Sequence, residues 1–263
     1  FAFDLVQKIT TNDVAKLYDG KVQYSCMLNE AGGIIDDLLV YRLSIEKYML
    51  VVNASNALKN IDWITTQNDM NVDVVNITEE RGLLAVQGPA TYSILQKVTS
   101  LNLNSIPYYT FKIGDIDQCH DVIISNTGYT GSGGFELYFN KEYALSIWNS
   151  IFQNNEIVQP IGLAARDTLR LEMGYCLYGN DINESRSPIE AGLSWIVSMK
   201  KEFIGKSVIK NQLKNGIDEC LVGFILKEKG IPRKGYEMIS KNGNRIGTVT
   251  SGSMSPVFKK GFG

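Results

Sequence analysis

Two adjacent carboxylates stand inside the run Gly32-Gly33-Ile34-Ile35-Asp36-Asp37-Leu38-Leu39-Val40-Tyr41-Arg42, where a β-strand ordinarily carries packing residues. An ionised carboxylate among apolar groups is costly unless something pairs with it. On an extended backbone alternate side chains share a face. Ile35, Asp37, Leu39, Tyr41 and Leu43 then point one way, and Ile34, Asp36, Leu38, Val40 and Arg42 the other. Asp37 is the only charge on its face, whereas Asp36 shares its face with Arg42. Two readings fit: a pair at a frayed strand end capping local amides, or an acid held among apolar groups for chemistry.

The glycine-rich segment Gly128-Tyr129-Thr130-Gly131-Ser132-Gly133-Gly134 offers a second candidate. A phosphate cradle needs a helix directly after the glycines. Here the strand-like Phe135-Glu136-Leu137-Tyr138 follows, and no GxxxxGK[ST] pattern occurs, so a dinucleotide site is disfavoured. The segment is either a hairpin tip or a place where backbone approaches a flat ligand, with Tyr129 stacking on it and Glu136 reaching its edge. Arg166 and Arg170 lie four apart with Asp167 between them, a spacing that intrahelical ion pairs also explain.

Other chemistries are restricted by what the chain carries. Its single histidine, His120, adjoins Cys119 at the start of an apolar run, where a structural role fits more readily than catalysis. Cys26, Cys119, Cys176 and Cys220 are scattered without CxxC spacing, which argues against structural zinc and fits free thiols in a reducing compartment. Acid–base chemistry is therefore expected from carboxylates or from the substrate itself. A net charge of −2 over 263 residues provides no field for nucleic acid or an anionic membrane. No apolar run of about 18 residues suggests a spanning helix. Both ends look cut, since Phe1-Ala2-Phe3 begins within an apolar pattern and Phe258-Lys259-Lys260-Gly261-Phe262-Gly263 stops mid-pattern.

The elements that must position these groups follow from periodicity. Residues 1–19 read as an amphipathic helix (Phe3, Leu5, Val6, Ile9), a cap at Thr10-Thr11-Asn12-Asp13 and a short second helix. Residues 22–28, 34–43 and 48–53 make a three-stranded antiparallel meander. Ser55 is expected to cap a helix carrying Leu58, Ile61 and Ile64. Strands are expected at 72–78, 83–87, 121–125 and 135–139, and loop at 101–111. Helices are expected after Pro89 and over 141–153, 161–173 and 205–214, with Leu163, Arg166, Leu169, Arg170 and Met173 near one stripe of the third. Residues 221–227, and a hairpin over 236–250, form a separate β unit. The domain boundary is placed near 215.

In order along the chain stand Ile9-Thr10-Thr11-Asn12-Asp13, Gly32-Gly33-Ile34-Ile35-Asp36-Asp37, Val51-Val52-Asn53, Gly128-Tyr129-Thr130-Gly131, Gly134-Phe135-Glu136, Gly162-Leu163-Ala164-Ala165-Arg166-Asp167-Thr168-Leu169-Arg170-Leu171-Glu172 and Leu177-Tyr178-Gly179-Asn180-Asp181-Ile182. This ordered set closely resembles the T-protein family of the glycine cleavage system, tetrahydrofolate-dependent aminomethyltransferases, over nearly the whole chain. Compared with the family pattern, an N-terminal segment and most of the C-terminal β domain are missing. Asn126 stands where the family often has Arg, and Ser132-Gly133 where it often has an acidic pair.

The resemblance implies an α+β fold: a folate-binding aminomethyltransferase core of antiparallel sheets with packed helices over 1–215, then the start of a truncated small β-barrel-like domain over 216–263. It implies reduced folate in a central cavity. By the same resemblance Asp37 is expected to be the catalytic carboxylate touching the ligand, with Asn53 nearby from the adjacent strand. Glu136 and Arg166 are expected to hold the folate, and Tyr24, Leu39, Val51, Tyr109 and Tyr129 to form walls. Adjacent amino and ring N–H donors of a pterin suit a carboxylate acceptor, and an arginine meets a carbonyl or carboxylate of the ligand. The partner is the lipoylated H protein, with no metal, no nucleic acid and no membrane. The aminomethyl group arrives on the dihydrolipoyl arm, thiol departure leaves a methylene iminium, N5 of tetrahydrofolate attacks it, and N10 displaces ammonia. An ionised Asp37 would steady that cation and orient the amines. Cytoplasmic location is expected in a bacterium, the mitochondrial matrix in a eukaryote. The alternatives are a related folate-dependent demethylase and a noncatalytic folate-binding module. Folate proteins of iron–sulfur maintenance carry a Lys-Gly-Cys-Tyr motif, for which this chain offers Met173-Gly174-Tyr175-Cys176.

Overall fold

Strands follow one another in runs, as do helices, and the sheets are antiparallel, as expected of an α+β protein. The structure, a computed structural model, describes residues 1–153 and 157–263. An amphipathic first helix, α1 (Ala2–Ile9), buries Leu5, Val6 and Ile9, and a single 3₁₀ turn follows at Val14–Lys16. Strands β1 (Val22–Leu28), β2 (Ile34–Ser44) and β3 (Lys47–Val51) form a sheet in that order. This is the expected meander.

Beyond it come α2 (Ala57–Gln67), β4 (Arg81–Gln87), α3 (Thr91–Leu95), β5 (Phe111–Ile116), β6 (Cys119–Ser125), β7 (Gly134–Asn140) and α4 (Ala144–Phe152). β4, β7, β6 and β5 make a four-stranded antiparallel sheet in that order. One face of β7 sends Phe135, Leu137 and Phe139 into a core with Leu95, Leu103, Ile116, Val122, Ile124 and Ile147. Then follow α5 (Leu163–Glu172), α6 (Lys206–Asn215), the hairpin of β8 (Glu237–Ile239) with β9 (Arg245–Thr248), and the pair β10 (Ser253–Met254) with β11 (Gly261–Phe262).

The chain divides into two compact units. One comprises Phe1–Val6, Val14–Tyr24 and Leu39–Gly162; the other comprises Gln7–Asp13, Ser25–Leu38 and Leu163–Gly263. β1 and β2 thus each contribute residues to both units. Among the described residues no helix is long and apolar enough to cross a membrane.

Several expectations are corrected. Residues 72–78 form no strand: the Asn68 amide donates to the Val72 carbonyl and accepts from its N–H, and Asn71 is left-handed at φ 54°, so local bonds replace a ladder. Ser55 does not cap α2. A 3₁₀ turn at Ala54–Asn56 leads in, the cap residue is Asn56 without a side-chain cap bond, and Leu58 is exposed while Asn60 and Ile64 are buried. β5 is an edge strand that the loop-like stretch before it concealed. The expected strand over 221–227 reduces to residues 224–226, whose backbone pairs with Gly261 and Gly263. On α5 Leu163 is exposed and Arg170 is buried, and Met173 just past its end is exposed, so the expected stripe is not its buried side.

Candidate active site

In the first unit the site grows from β7. Its alternation puts Glu136 and Tyr138 on the face opposite the core, with Glu136 paired across the sheet with Ser125 of β6 and Ala85 of β4. Thr127 Oγ1 donates to Glu136 Oε2 at 2.5 Å, and Tyr138 OH donates to the same oxygen at 3.4 Å. Behind them Tyr41 OH donates to Tyr138 OH at 3.0 Å and lies 3.0 Å from Ser125 Oγ and 3.3 Å from Thr127 Oγ1. Ser125 Oγ and Thr127 Oγ1 are 2.9 Å apart.

Each hydroxyl has one proton to give. Thr127 and Tyr138 give theirs to Glu136, and Tyr41 gives its own to Tyr138. Ser125 must therefore donate into Tyr41 or Thr127. Every hydroxyl proton in the cluster points along a path that ends on one oxygen of Glu136. Burial, aided by the nearby Glu136 charge, pushes the Tyr41 phenol up to about 12, against the lowering hydrogen bonds from Ser125, Thr127 and Tyr138. Burial likewise pushes Tyr138 far up, so both stay neutral donors.

The glycines before β7 serve packing. A Cβ on Gly128 would lie 1.9 Å from Gln87 Oε1, and one on Gly134 would lie 2.4 Å from the Val86 carbonyl. That closeness lets the Gln87 amide donate to the Thr127 and Phe135 carbonyls and accept from Thr130 Oγ1. Tyr129 is half-buried on this hairpin. The floor of the same unit joins Val22, Tyr41, Phe111, Ile123 and Tyr138, with Leu39, Val51 and Tyr109 packed against them. Leu39 and Val51 face each other across β2 and β3.

Tyr109 holds a left-handed backbone at φ 59°, a strained choice for an aromatic residue. Its N–H donates to the Asn126 carbonyl, its carbonyl accepts from Val22 N, and its ring stands edge-on to Tyr108 at 4.8 Å. Buried Asn126, where the resemblance suggests arginine, spends its amide on Tyr92 OH and the Ile106 carbonyl and so holds this turn. Asn53 is half-buried just past β3, ahead of the 3₁₀ turn, and Tyr24 is half-buried on β1. Leu39, Val51, Tyr109 and Glu136 are thus gathered by the Tyr41–Tyr138 pair.

Asp37 and Arg166 belong to the second unit. Here the start of β2 is fastened: Asn29 Oδ1 accepts from Gly33 N, Tyr178 OH donates to the Ile34 carbonyl at 3.1 Å, and a Cβ on Gly33 would lie 1.7 Å from the Glu184 carbonyl. Asp36 and Asp37 lie within an eleven-residue strand with an anchored start, so the frayed-end reading is wrong. The expected burial is also corrected. Asp36, Leu38 and Val40 are fully buried, and Asp37 and Leu39 are half-buried. Arg42 does not serve Asp36; it donates to Asp19 and to the Leu17 carbonyl.

Near Asp37 the thiols are held protonated. Burial, then the charges of Asp37 and Asp36 with Cys176 between them in effect, raises Cys26 well above its usual range. Burial, then Asp181 and Asp37, pushes Cys176 up to about 12 despite Arg170. Neither thiol is poised as a nucleophile. His120 is exposed and pairs with Asp115 at 3.0 Å on the surface. Among the described residues no cluster of three His, Cys, Asp or Glu is arranged for a metal.

On α5, Arg166 is exposed, and Arg170 one turn later is 1% exposed. Arg170 donates to Asp167, Asp181, Ser251 and the Tyr175 carbonyl. Sequence reasoning missed this buried network and the Tyr41–Ser125–Thr127–Tyr138 cluster. The available signal for the latter was hydroxyls at alternate positions, 125 at the end of an apolar strand and 127 just past it.

Within the first unit, a carboxylate steadied by neutral hydroxyls above an aromatic floor can accept hydrogen bonds from a flat, donor-bearing ligand. Comparison with known proteins narrows the class. The family profile described as "GCVT N-terminal domain" matches residues 2–201, and "Glycine cleavage T-protein C-terminal barrel domain" matches residues 220–263. The chain is 52% identical over 264 residues to the aminomethyltransferase of Flavobacterium psychrophilum, covering 100% of this chain and 73% of that protein. It is 52% identical over 266 residues to that of Bacteroides fragilis, covering 100% and 74%. The crystal structure of glycine cleavage system aminomethyltransferase T from Bartonella henselae superposes with a TM-score of 0.91 at 34% identity, covering 99% of this chain and 71% of that one. The chain belongs to the glycine cleavage T-protein family.

Proposed function

We propose that Asp37, Glu136 and Arg166 divide the work of aminomethyl transfer between charge stabilisation and folate recognition. The chain is an enzyme of the aminomethyltransferase kind. It transfers the aminomethyl carbon from the dihydrolipoyl arm of H protein to tetrahydrofolate, with release of ammonia and formation of 5,10-methylenetetrahydrofolate. Its relatives carry the aminomethyltransferase name, and neither the demethylase nor the noncatalytic binding reading gains support from them.

Within this activity we assign Glu136 to the pterin edge. The carboxylate whose Oε2 collects two hydroxyl donors is the observation that carries this reading. A carboxylate so held suits adjacent N–H donors of a ligand. Leu39, Val51 and Tyr109, gathered in one apolar cluster, form walls together with Tyr24 and Tyr129, and Asn53 supplies an amide from the end of β3. Arg166 meets an oxygen of the ligand. Asp37, half-buried on an anchored strand, stays ionised to steady positive charge that develops during transfer. Amine nucleophiles need no strong base, which agrees with a surface role for the one histidine.

The assay is ammonia release from aminomethyl-loaded H protein and tetrahydrofolate. Asp37→Asn is expected to keep folate binding and lose most turnover; unchanged turnover removes Asp37 from the mechanism. The same proposal places the domain division near 215, with 216–263 opening the C-terminal β domain, and places the protein in a bacterial cytoplasm.

A further inference from the structure

We propose that Thr127 and Tyr138 are positioning residues for folate binding: they lock the Glu136 carboxylate in one orientation, as the shared end of two directed hydroxyl chains. This rests on Glu136 being the group that meets the pterin. Proton counting carries the inference. Thr127 donates into Glu136 Oε2 directly, Tyr41 donates into it through Tyr138, and Ser125 feeds one of these two paths. Ser125 and Tyr41 are 0% exposed, Thr127 is 2% exposed and Tyr138 is 6% exposed, so no bulk water competes for these protons.

The geometry has a consequence for recognition. A glutamate side chain has three rotatable bonds, and an unbuttressed one loses that freedom when a ligand binds. Here the loss occurs on folding, because a donor on β7 itself and one just past the end of β6 fix one oxygen. The 2.5 Å Thr127 bond is the principal restraint, and the 3.4 Å Tyr138 bond is weaker. The hydroxyls also set the polarity of the site. With donors already aimed at it, Glu136 remains an acceptor and favours ligands that present N–H groups over ligands that present lone pairs.

Tetrahydrofolate binding and steady-state kinetics on the full-length protein test this. Thr127→Val is expected to raise both Kd and KM for tetrahydrofolate about tenfold or more. In the same variant kcat should stay within about threefold and KM for loaded H protein should not change. Thr127→Ser should restore wild-type binding, and the Val and Ser variants should melt at similar temperatures. Tyr138→Phe should give the same pattern at smaller amplitude, and serves if Thr127→Val does not fold. Should Thr127→Val and Tyr138→Phe bind tetrahydrofolate like wild type while Glu136→Gln fails to, Glu136 acts unaided and the positioning role is lost. Should Glu136→Gln itself bind like wild type, the assignment of Glu136 to the pterin falls, and the positioning role with it.

Discussion

The two units each contain a buried polar network, and the networks differ in the groups they join. In the second unit Arg170 places all five of its N–H bonds: Nε and Nη2 on Asp167, Nη1 on Asp181 and the Tyr175 carbonyl, and Nη2 also on Ser251. Asp181 in turn accepts from Leu177 N, Ser251 Oγ and Thr250 Oγ1. Charge meets charge, and the guanidinium is saturated within the protein. In the first unit neutral hydroxyls converge on one oxygen of a carboxylate that is itself only half-buried. A saturated ion pair holds segments together; neutral hydroxyls aimed at a carboxylate set its orientation. That contrast separates Arg170 from Arg166, which lies one turn earlier on the same helix and is exposed.

The largest effect that sharpens the contrast is on stability. Arg170→Met should strand the buried Asp181, and losing one partner of a buried pair costs about 3–5 kcal/mol. For a chain of this size that is a fall in melting temperature of roughly ten degrees or more, read by thermal unfolding. A melting temperature unchanged in this variant would break the view of Arg170 as a structural tie. Next comes Asp37→Asn, with kcat lowered on the order of 100-fold or more while folding is kept, as checked by ammonia release alongside circular dichroism. Glu136→Gln is expected to weaken tetrahydrofolate binding by about 10- to 100-fold, with little change in melting temperature. If it melted as early as Arg170→Met, the first network would be a structural tie too, and the difference between the units would vanish.

How legible this was in the sequence varies by physical cause. The meander of β1, β2 and β3 follows from alternation and a glycine turn, both local signals. The ordered motifs carried the family, since the residues from Gly32 to Asp37 and from Gly162 to Glu172 keep their spacing. Burial was not legible. Alternation places Asp36 and Asp37 on opposite faces, but which face is covered depends on distant segments. The sequence likewise sets Asp167 between two arginines without saying which it serves; the partners that decide for Arg170, Asp181 and Ser251, lie far along the chain. The stretch 72–78 shows the reverse failure. Its apolar spacing is strand-like, and the Asn68 side chain takes the Val72 backbone groups first.

The smallest effect sets the units apart by the sign of a pH dependence. In the second unit Lys201 donates to the Gln7 and Thr10 carbonyls at the end of α1 and lies 5.1 Å from the centre of the Phe203 ring. Burial lowers it to about 8, with Lys206 reinforcing and Asp13 and Glu202 opposing. Between about pH 8 and the ordinary lysine value of 10.5, the unfolded chain holds a proton that the folded chain has released. Stability from this group therefore rises with pH there, by at most about 1.4 kcal/mol per pH unit. In the first unit Tyr41 is raised to about 12 from 10, so above pH 10 the unfolded phenol ionises first and stability falls. Denaturant titrations from pH 8 to 11 should show Lys201→Met losing the rise and Tyr41→Phe losing part of the fall. Were both variants to follow the wild-type curve in parallel, neither group would titrate differently on folding, and the opposed pH dependences of the two units would be lost.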